Sequence, residues 1–227
     1  MSQRIINPNA VEVEAMVRQA IDGDGVLKVM DAAFYHQFKM DSVQGFCLFL
    51  GLYALPTTEL LDRVNLLIME ASPSRNAIEV ASGNGCLGKG LGIQCTDNYM
   101  QADEDIKAHL MESRQAPVSY GQHVAKYDAL EAVDVFRPEV VVAAWMTHKY
   151  RPHEHYRGGN MYGIEENDMM TRIKRYILVG NREVHKHKPL MEVPHQCIQG
   201  DFIVSRSSHP SKNAIFVWDA DKIERLP

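Results

Sequence analysis

The stretch from Asn76 to Asp97, NAIEVASGNGCLGKGLGIQCTD, constrains the fold more than any other part of the chain. A short apolar run carries one acid, Glu79, and then breaks into a glycine loop, Gly83-Asn84-Gly85. A second short apolar run begins at Gly92 and ends in another acid, Asp97. A strand, a glycine loop, a short helix, a strand and an acid in this order are typical of a nucleotide-binding α/β sheet.

Length and charge set the limits within which this sheet must form. The 227 residues are enough for one well-buried domain with a small accessory piece, and we expect helices over residues 1–72 and a nucleotide-binding domain over residues 73–227. The formal net charge of −5 disfavours nonspecific binding to nucleic acid, which calls for a basic excess, although it does not exclude a local basic groove.

The cysteine spacing and the length of the apolar runs indicate the cellular compartment of the protein. No cysteine pair has CxxC spacing, so we expect reduced thiols. The N-terminus has no apolar core behind a basic start, and the longest apolar run, from Gly45 to Pro56, is too short to span a bilayer. These features predict a cytoplasmic protein without a membrane partner. The cysteines are Cys47, Cys86, Cys95 and Cys197.

Helical periodicity dominates the first part of the chain. It predicts helices over Val11–Ile21, Val26–Phe38, Val43–Tyr53 and Thr58–Met69. Thr57 is a suitable N-cap for the last of these, whose apolar face we expect to pack against the sheet.

Strand-like and helical runs alternate in the rest of the chain. This pattern predicts a three-layer α/β fold with a seven-stranded, mostly parallel sheet, of which VVVAAW is a central strand and the last two strands form an antiparallel hairpin. The predicted strands are Ala77–Ala81, Gly92–Thr96, His123–Tyr127, Glu139–Trp145, Arg175–Gly180, Asp201–Arg206 and Ala214–Trp218. The predicted helices between them are Asp103–Ser113, Ala129–Val135 and Glu165–Lys174.

Two nucleotide ligands fit the glycine loop. Gly83, Gly85 and Gly88 match the dinucleotide fingerprint, which favours an NAD(P)-binding oxidoreductase. A dinucleotide needs a long helix whose N-terminus faces the pyrophosphate. Here few residues remain between the loop and the next strand, and each interior glycine costs about 1 kcal/mol of helix stability. The Glu79 carboxylate would repel a phosphate and attract an ammonium group. A ligand with an amino group at one end and a ribose at the other, S-adenosylmethionine, is therefore favoured.

These residues resemble the class I, Rossmann-like S-adenosylmethionine-dependent methyltransferases over roughly residues 55 to 220, with no subfamily assigned. An acid followed by a glycine-rich turn is the first motif of that family, although many members carry glycine where this chain has Ala81. The resemblance implies that Glu79 lies near the methionine end, that the glycine loop wraps the ligand, that Asp97 holds the ribose, and that Asp128 lies near the adenine. The cofactor-binding residues that it implies are Glu79, Ala81, Ser82, Gly83, Asn84, Gly85, Asp97, Asn98, Asp128, Ala129 and Trp145.

The end of the fourth strand, from Trp145 to Tyr150, should lie beside the transferred methyl group. By the same resemblance, it lacks the double proline and the Pro-Cys nucleophile of enzymes that methylate DNA bases, so that activity is disfavoured. His148 is the best-placed base by titration range, with a hydrogen-bonded structural histidine as the alternative. Trp145 is equally compatible with a wall of the ligand site and with a core position.

The polar, aromatic and glycine-bearing segment from Tyr150 to Asn167 is a candidate mobile lid over the acceptor. We expect Thr147, Tyr150 and Asn160 to contact a small-molecule substrate. Glu165 and Glu166 are expected to cap the following helix.

Two further function classes remain open. His153, His155, His185 and His187 alternate like metal ligands, which would suit a metal-dependent hydrolase or oxygenase, although no HExxH or finger spacing is present. Alternatively, the chain is a non-catalytic S-adenosylmethionine-binding protein. The sequence gives no oligomeric state and no methyl acceptor.

Overall fold

The computed structural model describes residues 6–23, 25–113 and 115–222. In those ranges seven strands form one sheet: β1 (Ala77–Glu79), β2 (Gln94–Asp97), β3 (Val124–Lys126), β4 (Val140–Ala144), β5 (Arg175–Asn181), β6 (Gln196–Gln199) and β7 (Asn213–Asp219). Their order is β3-β2-β1-β4-β5-β7-β6, with β1 to β5 parallel and β7 antiparallel to both of its neighbours. The predicted fold class is confirmed: this is the strand order of a Rossmann-like methyltransferase fold.

Helices cover both faces of the sheet and complete three layers. Over the described residues they are α1 (Ala10–Ala20), α2 (Ala32–His36), α3 (Met40–Phe49), α4 (Thr58–Ala71), α5 (Cys86–Leu91), α6 (Glu104–Glu112), α7 (Ala129–Phe136) and α8 (Glu166–Met170). One face packs against α4 and α5, and the other against α7 and α8. Leu60, Leu61 and Leu67 of α4 are buried in one cluster with Val140 and Val142 of β4, as its apolar periodicity predicts.

Local capping residues set where two of these helices begin. The Thr57 hydroxyl accepts a hydrogen bond from the Leu60 amide and starts α4, as predicted. Asp128 and Glu131 form a capping box at the start of α7.

The predicted helix over Val26–Phe38 is wrong for most of its length. Only Ala32–His36 is helical, with the Asp31 carboxylate capping the Phe34 amide. The residues before it are held in extended backbone, because Leu27 pairs with Ile21 and Met30 pairs with Thr57. The predicted helix Glu165–Lys174 is likewise shorter, since α8 ends at Met170.

The sixth strand also differs from its prediction. It is formed by Gln196–Gln199, whereas the predicted strand, residues 201–206, leaves the sheet to contact the N-terminal helices. The Leu55 amide donates to the Val204 carbonyl and the Arg206 amide donates to the Tyr53 carbonyl. Val204 is therefore buried with the residues of α1 to α3 rather than under the sheet. The antiparallel finish itself is confirmed.

The N-terminal helices form an apolar cluster of their own, centred on Met16, Tyr35 and Phe46. The division at residue 72 stays a prediction, and residues 1–5 and 223–227 of the two proposed units lie outside the described residues. In the described part of the chain, no helix combines the length and apolar character needed to cross a bilayer.

Candidate functional site

A cavity of about 230 Å³ lies at the carboxyl ends of the parallel strands. Ala81 follows β1, Asp97 ends β2, Asp128 follows β3 and Ala144 ends β4, and all four line the cavity. The strand order reverses between β1 and β4, which is where ligands bind in open α/β sheets.

The cavity has two ends that differ in chemistry. The acidic end, after β2 and β3, is formed by Asp97, Asn98, Met100, Tyr120, Asp128 and Ala129. The aromatic end, after β4 and β5, is formed by Tyr53, Trp145, Thr147, Asn160, Tyr162 and Val184. The structure thus brings together eight of the sequence-predicted site residues: Ala81, Asp97, Asn98, Asp128, Ala129, Trp145, Thr147 and Asn160.

At the acidic end, Asp97 is held by backbone amides. Its Oδ2 accepts from the Gly83 amide at 2.9 Å and its Oδ1 accepts from the Tyr99 amide at 2.8 Å. Burial raises the pKa of the Asp97 carboxyl, while these two amides and the Tyr120 hydroxyl oppose the rise. Asp128 is exposed at the start of α7, where its Oδ1 accepts from the Leu130 amide at 3.0 Å. Both carboxylates keep lone pairs that a ligand hydroxyl or amino group can use.

Tyr120 and Val118 cover the acidic end, and no motif predicts either residue. The Tyr120 ring stacks on Tyr99, with centroids 4.0 Å apart and planes 5° apart. The Tyr120 hydroxyl accepts from the Gln101 amide, and the Val118 amide donates to the Gln101 side chain. These residues lie in the loop between α6 and β3, where no periodicity marks them.

The glycine loop does not line the cavity. Ser82, Gly83, Asn84 and Gly85 all lie outside its wall, and the Val118 side chain lies over Gly83, 3.5 Å from where a Cβ would be. The loop instead supports the cavity through the hydrogen bond from Gly83 to Asp97. Ala81, which does line it, has φ +49°, in the left-handed region that favours glycine.

Glu79 does not reach the cavity either. Its side chain is 1% exposed and lies under α5, where Oε2 accepts from the Gly88 amide at 2.8 Å. A Cβ on Gly88 would come within 2.6 Å of this oxygen, so the close approach requires glycine. Burial raises the pKa of Glu79 to about 8, which makes the group mostly neutral at pH 7. The expectation of a fixed carboxylate facing a ligand ammonium is therefore corrected.

At the aromatic end, Trp145 has a constrained backbone. Its φ is +57°, and its amide donates to the Val179 carbonyl of β5 at 2.8 Å. The indole stacks on Tyr53, with centroids 6.0 Å apart, and the Arg206 guanidinium lies 3.5 Å from the Tyr53 ring centroid. Tyr53 comes from the N-terminal segment, so its part in the site could not be read from motif spacing.

The loop after β4 separates the predicted substrate residues. Thr147 and Asn160 line the cavity, and Asn160 is fixed by backbone bonds to His148 and Tyr150. Tyr150 does not line it, since its hydroxyl is paired with His155 Nδ1 at 3.0 Å.

His148, the predicted base, also lies outside the cavity wall. It is buried beside Glu166 and Leu190, and its Nε2 has no hydrogen-bond partner among the residues that the structure describes. Burial and the positive charge of Lys188 lower the pKa of His148 to about 4, so the imidazole is neutral at pH 7.

A buried ion pair lies beneath the aromatic end. Lys188 Nζ lies 2.8 Å from Glu166 Oε1 and donates to the Met146 carbonyl at 2.7 Å, and the Tyr176 hydroxyl donates to the same carboxylate. Glu166 therefore stabilises the loop after β4 rather than capping α8, and Glu165 caps nothing with its side chain. Lys188 could not be predicted as a site residue because Glu166, its partner, is distant in the chain.

The alternating histidines do not converge. His153, His155 and His187 are exposed, while His185 is buried with Nδ1 on the Asn181 backbone. Among the residues that the structure describes, no group of three or more His, Cys, Asp or Glu side chains could hold a metal ion. The metal-dependent alternative thus has no site in these ranges.

Comparison with known proteins supplies structural neighbours only. No protein-family model matches the chain, and no curated protein matches it in sequence. An uncharacterised protein from Listeria monocytogenes serotype 4b shares 13% identity at TM-score 0.37, with 75% of this chain and 69% of that one covered.

Two further neighbours are described by function. The Pyrococcus abyssi tRNA (uracil-54, C5)-methyltransferase in complex with S-adenosyl-L-homocysteine shares 13% identity at TM-score 0.31, covering 70% of this chain and 36% of that one. The hMettl16 catalytic domain in complex with the MAT2A 3′UTR hairpin 1 shares 12% identity at TM-score 0.34, covering 94% and 91%. Because all three TM-scores are below 0.5, the fold assignment depends on the strand order described above.

The expectation of a small-molecule substrate is contradicted. The Pyrococcus abyssi neighbour is a tRNA methyltransferase, and the hMettl16 catalytic domain is bound to a hairpin of a 3′UTR. That expectation is withdrawn.

Proposed function

We propose that this protein is an S-adenosylmethionine-dependent methyltransferase. The observation that carries the proposal is the acidic end of the cavity: Asp97 at the end of β2 and Asp128 after β3 line one cavity at the carboxyl edge of the sheet. Two carboxylates on neighbouring strands suit the ribose hydroxyls and the amino group of an adenosine.

The cavity fits the two parts of the cofactor unequally. Met100 and Ala129 supply apolar surface for an adenine ring next to the two acids. The region beside β1 and β4 presents Ala81 and Ala144, and Glu79 supplies no charge there because it is enclosed beneath α5. The cavity therefore suits the adenosine part of the cofactor. Glu79, the predicted partner of the methionine ammonium group, does not reach it.

The bound cofactor would supply a methyl group on a positively charged sulfur. The chain's own part is to align an acceptor, since methyl transfer depends mainly on the position of the nucleophile. Thr147 and Asn160 are the polar side chains at the aromatic end that can orient one. His148 takes no part as a base, because it does not line the cavity.

Isothermal titration calorimetry with S-adenosylmethionine, S-adenosylhomocysteine and NAD tests the proposal. We expect both sulfur ligands to bind and NAD not to bind. Failure of both sulfur ligands would overturn the proposal, and tight NAD binding would favour the oxidoreductase in its place.

A further inference from the structure

The glycine loop is covered by one short segment of the chain. Residues 115–119, which we call the strap, follow α6 and lead to Tyr120 at the acidic end of the cavity. Both γ-carbons of Val118 lie over Gly83, at 3.5 and 3.7 Å from where a Cβ would be. Because Val118 itself lines the cavity, the strap lies between the cavity and Gly83.

The strap is held by contacts that can be broken without disturbing the sheet. In the described part of the chain, residues 116–120 make no hydrogen bond between backbone groups. The Val118 amide donates instead to the Gln101 side chain at 3.0 Å. A segment without backbone pairing opens locally at small cost. Tyr120, where the strap ends, is by contrast fixed by stacking on Tyr99, so the strap can move while the acidic end stays in place.

The cavity that the strap leaves open is small for a whole cofactor. Its volume of about 230 Å³ lies below the roughly 300–1,000 Å³ that is typical of ligand pockets. Asp97 Oδ2 accepts from the Gly83 amide, so a ribose held by Asp97 lies next to Gly83. The loop surface beside that ribose is the surface that Val118 covers.

The glycine loop also carries a hydroxyl group that the protein leaves unsatisfied. Ser82 Oγ is buried and has no hydrogen-bond partner among the residues that the structure describes. The cavity wall beside β1 and β4 presents Ala81 and Ala144, whose side chains cannot bind an ammonium or a carboxylate group. Since buried polar groups are nearly always bonded, the Ser82 hydroxyl suits a polar group of a ligand.

From these observations we infer that the strap covers the subsite for the amino-acid part of S-adenosylmethionine, and that it moves aside when the cofactor binds. The inference rests on the proposed function and adds a gate to the same site. With the strap displaced, the Ser82 hydroxyl hydrogen-bonds the amino-acid part, while the adenosine occupies the cavity that is already open.

This gate lowers the affinity only for ligands that carry the amino-acid part. A ligand that needs a minor conformation of the protein binds with an apparent Kd that is raised by the reciprocal of that conformation's population. Weakening the closed position of the strap should therefore tighten the binding of such a ligand. A ligand that consists of the adenosine part alone should not respond.

Calorimetry with two ligands tests the inference: S-adenosylhomocysteine, and 5′-methylthioadenosine, which has the same adenosine but no amino-acid part. Val118→Ala removes the methyl groups that lie over Gly83. We expect this variant to bind S-adenosylhomocysteine about fivefold more tightly and methylthioadenosine with unchanged affinity. The matched control is Ser119→Ala, at the exposed next residue of the strap, which should leave both affinities unchanged.

Ser82→Ala should give a change of the opposite sign. Loss of the hydroxyl should weaken binding of S-adenosylhomocysteine about fivefold and leave that of methylthioadenosine unchanged. Because the hydroxyl has no partner in the described protein, its removal should not lower the melting temperature, which separates an effect on binding from an effect on folding.

Three results overturn the inference: S-adenosylhomocysteine binds Val118→Ala no more tightly than the wild-type protein, methylthioadenosine shifts by the same factor, or Ser82→Ala leaves binding of S-adenosylhomocysteine unchanged. If neither ligand binds the wild-type protein or any variant, the proposed function itself fails. The two failures are therefore distinguishable.

Discussion

The acidic and aromatic ends of the cavity are held in place by different kinds of contact. At the acidic end the hydrogen bonds join residues two to 14 positions apart: Asp97 accepts from the amides of Gly83 and Tyr99, and Asp128 accepts from that of Leu130. At the aromatic end the contacts join residues that are farther apart in the chain. Trp145 stacks on Tyr53 and donates its amide to Val179, and the Met146 carbonyl accepts from Lys188. The acidic end is thus fixed mainly by backbone amides of nearby loops, and the aromatic end by contacts between segments that lie farther apart in the chain.

This difference predicts that the two ends respond separately to mutation. The largest effect on stability should come from Lys188→Met, which leaves the buried Glu166 carboxylate without its cation. Removing one partner of a buried ion pair costs about 3–5 kcal/mol, measurable by urea denaturation. Under conditions where the variant is folded, S-adenosylhomocysteine should still bind, since the acidic end does not depend on Lys188.

The matched control for that variant is Lys186→Gln, two positions away. Lys186 pairs with Glu183 at the surface, where an ion pair contributes less than about 1 kcal/mol. Equal losses of stability in the two lysine variants, or loss of ligand binding in folded Lys188→Met, would show that the two ends are not independent.

Asp97→Ala tests the acidic end directly. We expect about ten- to hundredfold weaker binding of S-adenosylmethionine by calorimetry, since a hydrogen bond to a charged group contributes about 1.5–3 kcal/mol. The circular dichroism spectrum should stay that of the folded protein. Asp128→Ala should weaken binding less, because Asp128 is exposed and Asp97 is buried. The reverse ranking would contradict the assignment of Asp97 to the ribose.

The raised pKa of Glu79 predicts a pH dependence of stability. The unfolded group titrates near 4.5 and the folded group at about 8, so the folded state holds the extra proton between these values. Its stabilising contribution is complete below pH 4.5 and is lost as the pH rises toward 8. The melting temperature of the wild-type protein should therefore fall, relative to that of Glu79→Gln, as the pH rises from about 5 to about 8. Thermal scans of both proteins across this range measure it. Parallel curves for the two proteins would refute a neutral, buried Glu79.

The smallest effect should be that of Ala81→Gly. Left-handed backbone costs a non-glycine residue about 1–2 kcal/mol, which the substitution removes. Glycine also raises the conformational entropy of the unfolded chain, and this offsets part of the gain. We expect a rise in the free energy of unfolding of about 0.5 kcal/mol, with ligand binding retained. A loss of stability would mean that the Ala81 methyl makes packing contacts that outweigh the strain.

The same contrast explains how much could be predicted from the sequence. The seven-stranded, mostly parallel sheet, α4 on the sheet, and Asp97 and Asp128 at one cavity were predictable because each follows from a short pattern. The position of the Glu79 side chain was predicted wrongly because the motif identifies the residue but does not show that α5 covers its carboxyl group. Tyr53, Tyr120 and Lys188 were missed because their roles depend on contacts between distant segments. The strand placed at residues 201–206 failed for the same reason, since contacts with Tyr53 and Leu55 remove it from the sheet.

A crystal structure with S-adenosylhomocysteine tests the central claim most directly. We predict that the ribose hydroxyls lie on the Asp97 carboxylate, that the adenine lies between Met100 and Ala129, and that the sulfur points toward Trp145 and Thr147. An adenosine bound away from Asp97, or a ligand displaced to the outside of the β2–β3 edge, would contradict the account.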